Sequence, residues 1–582
     1  MVILLLVLLP IFILIQNVVG IKRFDLNITI DQINPDCSKY NGHILLANHQ
    51  LPGPTIQVEE GERVQITVRN FLPPTQPSNV TGAGSNDITV HFHGIRQYGS
   101  SYADGVPFLT QRPIPPGAEF THDFRVVNQE GTFFYHAHVG LSEQTLFGPF
   151  IIHPSKKHHQ VLSEKYPEHI ISLSEWWHAS RTSFEEYILG PEFEFIPEAQ
   201  SVLINGRTLY NTDHPLLPSQ NTSPQNEADK GCLGYTVFEV DRGKTYRLRV
   251  IGASTFRTLG FAIAHHNLTI IEVDGESVKP YSVSFLEVAP GQRLSVLLHA
   301  VQPPQDYTIA TDRRWAEDVS RSSNGMAVLR YKTNHKSNDN DNMPVLQLPP
   351  NRPEFPLLDA THWIWSNLKP LYGVDPIVIR PSSRTIKLRA TDFKLPTGET
   401  RWAINDVAYM EPEEPILLDI LQNKRRRPPL SASALNNGYD PYLATYPLYH
   451  YEIVDFVLQS THIPGEPCRS HPWHTHGHSH WEIAHGSGEY NEIKHGHLRN
   501  IPYPIQKDVT LVYPHIDSQD ETVNGSLATG FVGCGWSKIR ILADNPGIWA
   551  MHCHNAPHML MGMMVALEEA PELINGYLPL DS

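Results

Sequence analysis

Helical heptads are missing from this 582-residue chain, and so is any excess of basic charge: 45 lysines and arginines face 61 acidic residues, a formal net charge of −16. The first absence leaves little room for coiled coils. The second excludes nucleic-acid partners, which need a basic face. Long apolar runs are scarce too. The one present, residues 2 to 15, precedes Val18-Val19-Gly20 and reads as a signal-peptide core within residues 1–20, cleaved near Gly20, although the usual positive n-region is missing. A membrane anchor is the alternative, but the run is short for a span. No stable membrane insertion is expected, and the chain reads as secreted. Sequons at Asn27, Asn79, Asn221, Asn267 and Asn524 fit that route. Cysteine is the last scarcity, with five in all; an exported protein pairs its cysteines, and an odd count leaves one over.

Proline and glycine, at 48 and 38, are what the chain has in plenty, and they suit short strands joined by turns. The length exceeds a single core, so several domains are expected. Pro54 to Asn70 reads as strand, glycine-centred turn and alternating strand, and Tyr235 to Val250 repeats that signature. Such units suit all-β Greek-key sandwiches. The divisions fall at 21–154, 155–338 and 357–582, with the polar, proline-rich stretch 339–356 as a linker.

The metal chemistry is concentrated between Asn545 and Met563. There His552, Cys553, His554, His558 and Met563 bring a thiolate, imidazoles and a thioether together, a donor set suited to copper. If Gly547 to His554 is extended, Cys553 points to one face and His552 and His554 to the other. One strand then serves two metal centres. On the thiolate face, blue copper needs two histidines, one cysteine and a weak axial methionine; His558 and Met563 follow Cys553 by five and ten residues, and His471 offers the second imidazole. On the other face, His474 and His476 join His552 and His554, and His91, His93, His136 and His138 complete eight imidazoles in four His-x-His pairs. That number suits a three-copper cluster. Gly131-Thr-Phe-Phe-Tyr-His136-Ala137-His138 also matches Gly547-Ile-Trp-Ala-Met-His552-Cys553-His554, with Ala137 in place of Cys553. The two read as copies of one unit, which places the cluster between the first and last domains.

At these motifs the chain resembles the multicopper oxidases, most closely their ascorbate oxidase and laccase-like branch. The likeness runs from about Asn48 to Ala566 and includes Leu51-Pro-Gly-Pro-Thr-Ile, Leu173-Ser-Glu-Trp-Trp-His, Leu203-Ile-Asn-Gly, Arg401-Trp-Ala-Ile-Asn-Asp and Gly535-Trp-Ser-Lys-Ile-Arg. It implies three cupredoxin-like Greek-key β-sandwich domains and four coppers per chain. The type 1 copper would take His471, Cys553, His558 and, weakly, Met563. His91 and His474 would hold the type 2 copper, and His93, His136, His138, His476, His552 and His554 the type 3 pair. Electrons would pass through Cys553 to His552 or His554, and Asp104 would help deliver protons. The family's second carboxylate, three residues after the cysteine, is replaced by Ala556. The resemblance pairs Cys37 with Cys232, which leaves Cys468 for Cys534.

Trp402 and Phe195 are expected to line the reductant pocket. The implied reaction is one-electron oxidation of a small-molecule reductant, ascorbate-like or phenolic, coupled to four-electron reduction of O₂ to water. An exported ferroxidase acting on Fe(II) is the alternative, and it would need carboxylates near His471 or His558; a non-catalytic copper carrier is the third reading. The sequence leaves the oligomeric state open. The second domain has no His-x-His pair and reads as a spacer, with His265 and His266 facing solvent. Five further histidines after the His474-x-His476 pair, His478, His480, His485, His495 and His497, could recruit copper, but they read as surface residues.

Overall fold

The computed structural model describes residues 20–76, 78–80, 82–155, 166–210, 232–315, 325–332, 344–356, 364–425, 437–515 and 530–574. The signal-peptide core and the sequons at Asn221 and Asn524 lie outside them. Six sheets among the described residues build three two-sheet sandwiches. The first has two four-stranded sheets between Ile21 and His153; the second and third each have a six- and a five-stranded sheet, within 168–331 and 384–569.

In Arg63–Asn70, Val64, Ile66, Val68 and Asn70 are buried while the residues between them are not, the alternation of a strand with one face on a core. The strand-turn-strand signature is present as Ile56–Glu59 followed by Arg63–Asn70, but the two strands do not pair. The turn between them carries the chain from one sheet to the other, and Ile56–Glu59 pairs in parallel with Phe147–His153 instead. Thr236–Val240 and Thr245–Gly252 repeat the crossing in the second sandwich.

The internal repeat survives in three dimensions. Val90–His93 lies antiparallel to Gly131–Ala137 with His91 opposite His136. His471–Thr475 lies antiparallel to Gly547–Cys553 with His474 opposite His552. The sandwiches carrying the two copies dock through Val106 and Leu109 of the first against Ile416, Ile548, Ala550 and Met564 of the last.

The described part of the stretch read as a linker, residues 344–356, is tied down by hydrogen bonds although none of it is buried. Tyr235 donates its backbone N–H to the Val345 carbonyl, and the Asn351 side chain accepts from Thr308 N–H at 3.0 Å. Trp365 and Leu368, just beyond, join the core of the second sandwich. The bridges Cys37–Cys232 and Cys468–Cys534 span sequence separations of 195 and 66. On a chain-entropy basis each is worth about 4–5 kcal/mol.

Candidate metal centre

Gly547–Cys553 is buried along its whole length, and its alternation sorts the donors. On one face the Cys553 sulfur lies 3.6 Å from His471 Nδ1 and 3.7 Å from His558 Nδ1. His558 arrives on the short helix Ala556–Leu560, and the chain then returns so that Cys553 N–H donates to the Met563 carbonyl. Met563 is fully buried. Cys553 is the free cysteine, consistent with both disulfides using the other four. Burial pushes its thiol well above the ordinary value and holds His471 down at about 3, with Arg469 adding to the effect on His471. A buried thiol with two neutral imidazoles turned toward it is suited to losing its proton to a soft cation.

The opposite face meets the other copy. His93, His136 and His554 converge as one set, His138, His476 and His552 as a second, and His91 and His474 lie together beside them; within each set the donor atoms are within 4.8 Å. None of the eight is more than 4% exposed. Burial, then the neighbouring imidazoles, keep His93, His138, His474, His476 and His554 well below the ordinary histidine range, and burial, with His91 and His136 adding to it against the Cys553 backbone bond, takes His552 to about 3. These rings are therefore neutral, with a lone pair available.

Their hydrogen bonds say which one. His91 donates from Nδ1 to the Asp104 carbonyl at 2.7 Å, His136 to the Ala137 carbonyl at 2.9 Å and His474 to the Asp508 carbonyl at 3.0 Å, while Nε2 of each, and of His138, is buried with no partner. His552 Nε2 and His476 Nε2 face each other at 3.1 Å, with Nδ1 of the first donating to the Cys553 carbonyl and Nδ1 of the second to Asp104. Two lone pairs at that separation repel, and a cation between them relieves the repulsion. This donor set fits copper ions.

Asp104 is fully buried, with its carboxylate 2.9 Å from His476 Nδ1 and 3.3 Å from His91 Nδ1. Three neighbours were not foreseen. Asp508 reaches His93 Nε2 at 3.2 Å, Arg293 of the second sandwich holds Asp508, and Gly291 presses against the cluster: a Cβ there would lie 2.7 Å from His93 and 2.9 Å from His554. The second sandwich is thus more than a spacer. No spacing in the sequence marks these residues, since Arg293 and Asp508 are 215 apart.

Beside the thiolate face lies a pocket of about 170 Å³ whose lining includes Phe195, Trp402 and His558. Trp402 is buried against both imidazoles, with centroids 5.2 Å from His471 and 4.8 Å from His558; Phe195 is 60% exposed at the mouth. Glu198, Arg257, Asp392 and Arg469 also line the pocket. Glu175 accepts the backbone N–H groups of Thr255, Phe256 and Arg257, fixing the loop that presents Arg257.

Three histidines read as solvent-facing are buried instead. His266 donates to the Ala264 carbonyl and meets Tyr331 Oη at 2.8 Å. His480 bridges Thr475 and Thr510. His478 lies 2.8 Å from Glu569; burial alone would lower this imidazole, and the carboxylate overrides it and raises it. His485, His495 and His497 join none of the donor clusters among the described residues.

Comparison with known proteins gives one answer along the chain. Multicopper oxidase family models match residues 27–157, 167–334, and 409–519 with 530–573. An L-ascorbate oxidase of Cucurbita maxima is 30% identical over 93% of this chain and 88% of its own. Laccase-2 of Fomitopsis schrenkii is 31% identical, covering 96% and 91%. The crystal structure of a laccase from Botrytis aclada superposes with a TM-score of 0.73 at 25% identity, over 95% of this chain and 88% of the other.

Proposed function

The chain belongs to the multicopper oxidase family, and we propose that it is an exported oxidase that takes single electrons from a small organic reductant, ascorbate-like or phenolic, and gives them to dioxygen. His471, Cys553, His558 and, more weakly, Met563 would hold a type 1 copper, His91 and His474 a type 2 copper, and the two sets of three histidines the type 3 pair. When bound, the four coppers supply one-electron redox chemistry that gathers four electrons and reduces O₂ to two waters.

The observation that carries this reading is the position of Cys553. Its sulfur meets His471 and His558 on one face, while His552 and His554, bonded to it through the backbone, enter two different histidine sets on the other. Their Cα atoms are about 6.6 Å apart on a regular strand. A storage protein has no use for such a connection, so the carrier reading loses its support.

The pocket bears on the choice of reductant. Trp402 and His558 form its inner wall, and Phe195 adds a stacking surface that lacks an indole N–H. The carboxylates that Fe(II) would need are present as Glu198 and Asp392, but each faces a guanidinium. Glu198 accepts from Arg257 Nε at 2.7 Å, and Asp392, raised by burial, is countered by Arg469. With each carboxylate matched by a guanidinium, the pocket offers Fe(II) no unpaired carboxylate, whereas the guanidiniums can donate to an enediolate or phenol oxygen. At the cluster, the Asp104 carboxylate is the group placed to hold or pass a proton beside His476. The two disulfides are consistent with export into an oxidising compartment.

Oxygen uptake by the copper-loaded protein, compared side by side on ascorbate, a simple phenol and Fe(II), is the test. An organic reductant should be fastest. Fastest uptake on Fe(II) would overturn the reductant class, and no uptake on any of the three would overturn the oxidase reading.

A further inference from the structure

Asp104 and Asp508 occupy equivalent places around the histidine cluster. The repeat that maps His91 and His93 onto His474 and His476 also maps His136 and His138 onto His552 and His554. It turns the set His93, His136, His554 into the set His476, His552, His138. The Asp104 carbonyl accepts from His91 and its carboxylate from His476; the Asp508 carbonyl accepts from His474 and its carboxylate from His93. Under the exchange these are the same contacts. The sequence hides the equivalence, because Asp104 follows His93 by eleven residues and Asp508 follows His476 by thirty-two.

The two differ in their charge partners. Asp104 Oδ1 is buried with no hydrogen-bond partner. Asp508 receives two N–H groups from Arg293 at 2.6 and 2.7 Å, a bidentate pair across the boundary with the second sandwich. Arg293 is fully buried and held in turn by the Thr132 carbonyl at 3.1 Å and the Gly291 carbonyl at 3.0 Å, while its backbone N–H donates to Asp274 at 2.9 Å. The ring nitrogens differ as well. His476 turns Nε2 inward, whereas His93, with Nε2 drawn toward Asp508, turns Nδ1 inward, 3.1 Å from His554 Nε2.

We propose that Arg293 and Asp508 are positioning residues for the three-copper cluster: the guanidinium fixes the Asp508 carboxylate, which fixes the His93 ring with Nδ1 toward the metal. The second sandwich, which contributes no ligand, thereby sets ligand geometry at the cluster. Asp508 carries the guanidinium pair, and Asp104 is the carboxylate without one. The inference rests on the assignment of the eight histidines to copper.

The test uses the full chain loaded with copper, with Arg293→Met, Arg293→Lys and Asp508→Asn read by copper content, by the paramagnetic spectrum of the type 2 copper and by blue colour. Arg293→Met should keep the blue colour, lose more than half of the cluster copper and alter the type 2 spectrum. Arg293→Lys should restore most of the copper but leave the spectrum shifted, since an ammonium cannot make the bidentate pair. Asp508→Asn should shift the spectrum in the same sense. Arg249→Met is the control: it removes another buried arginine of this interface, one bonded to Thr132 and Glu168 and to no histidine. It should leave cluster copper intact. Full copper with an unchanged spectrum in Arg293→Met would overturn the proposal, as would equal copper loss in Arg249→Met, which would mean generic docking. Wild-type protein with no cluster copper would instead overturn the copper assignment itself, and this proposal with it.

Discussion

The strands Gly131–Ala137 and Gly547–Cys553 are the same piece of architecture put to two uses. Each lies antiparallel to a strand bearing a His-x-His motif, and each sends its own two histidines into the shared cluster. Each also ends on an equivalent bond, Ala137 N–H to the Leu146 carbonyl and Cys553 N–H to the Met563 carbonyl. The faces turned away from the cluster have diverged. Where the last copy has His471, Cys553 and Met563, the first has Ile88, Ala137 and Leu146, all buried and apolar. His558, whose carbonyl accepts from Met563 N–H, corresponds to Ser142, whose carbonyl accepts from Leu146 N–H. Because side chains alternate along a strand, one face can change its chemistry while the other keeps its ligands.

Removing that difference should have the largest effect. Cys553→Ala makes the last copy resemble the first, and it should abolish blue colour and turnover while part of the copper remains in the histidine cluster. Loss of the buried sulfur costs about 1 kcal/mol of stability, so a folded protein is available for the measurement. Turnover that survives would sink the proposed path through the thiolate.

Acid should strike both copies together. Imidazoles held below their ordinary value stabilise the fold above pH 6.5, where a free histidine titrates, and that contribution is lost as pH falls toward about 3, where His471 and His552 titrate. Below pH 6.5 the unfolded chain takes up protons that the folded one refuses. The slope is about 1.4 kcal/mol per pH unit for each such ring. Copper-free protein should therefore melt at sharply lower temperature at pH 5 than at pH 7. A flat melting profile across that interval would contradict neutral burial of the rings.

Asp104→Asn tests the carboxylate without an arginine. It keeps the size and one acceptor but cannot take up a proton, so turnover should fall about a hundredfold, the low end for a general acid–base group. Copper content and blue colour should hold. Turnover within a factor of two of wild type would remove Asp104 from proton delivery.

Much of the site was legible because it depends on local alternation. The parity of Cys553 against His552 and His554 decides which face each one takes, and the structure keeps that parity. Alternation misleads where the strand stops. His474, His476, His478 and His480 share one parity, but His471–Thr475 ends at Thr475 and Gly477, at φ +70°, turns the chain; His478 then meets Glu569, and His480 begins the next strand. Polar, proline-rich composition likewise says nothing about the Tyr235–Val345 bond that ties residues 344–356 of the linker stretch to the second sandwich. Arg293 and Asp508 were invisible because their meeting depends on how two sandwiches dock, and no period along the chain encodes that.

The smallest effect should come from the reverse substitution. Ala137→Cys gives the first copy its thiol, yet the neighbours are Ile88, Leu146 and Ser142, so no imidazole is available to share a metal or to draw off the proton. A buried thiol in apolar surroundings stays protonated and inert. The variant should bind no additional copper, gain no second blue band, keep wild-type turnover and lose about 1 kcal/mol through overpacking. If Ala137→Cys alone acquires a second blue centre, the divergence rests on one atom and the flanking histidines of the last copy are dispensable for colour. If Ile88→His and Ser142→His must be added before colour appears, the type 1 site is a property of the whole face, and the cysteine is only its most conspicuous member.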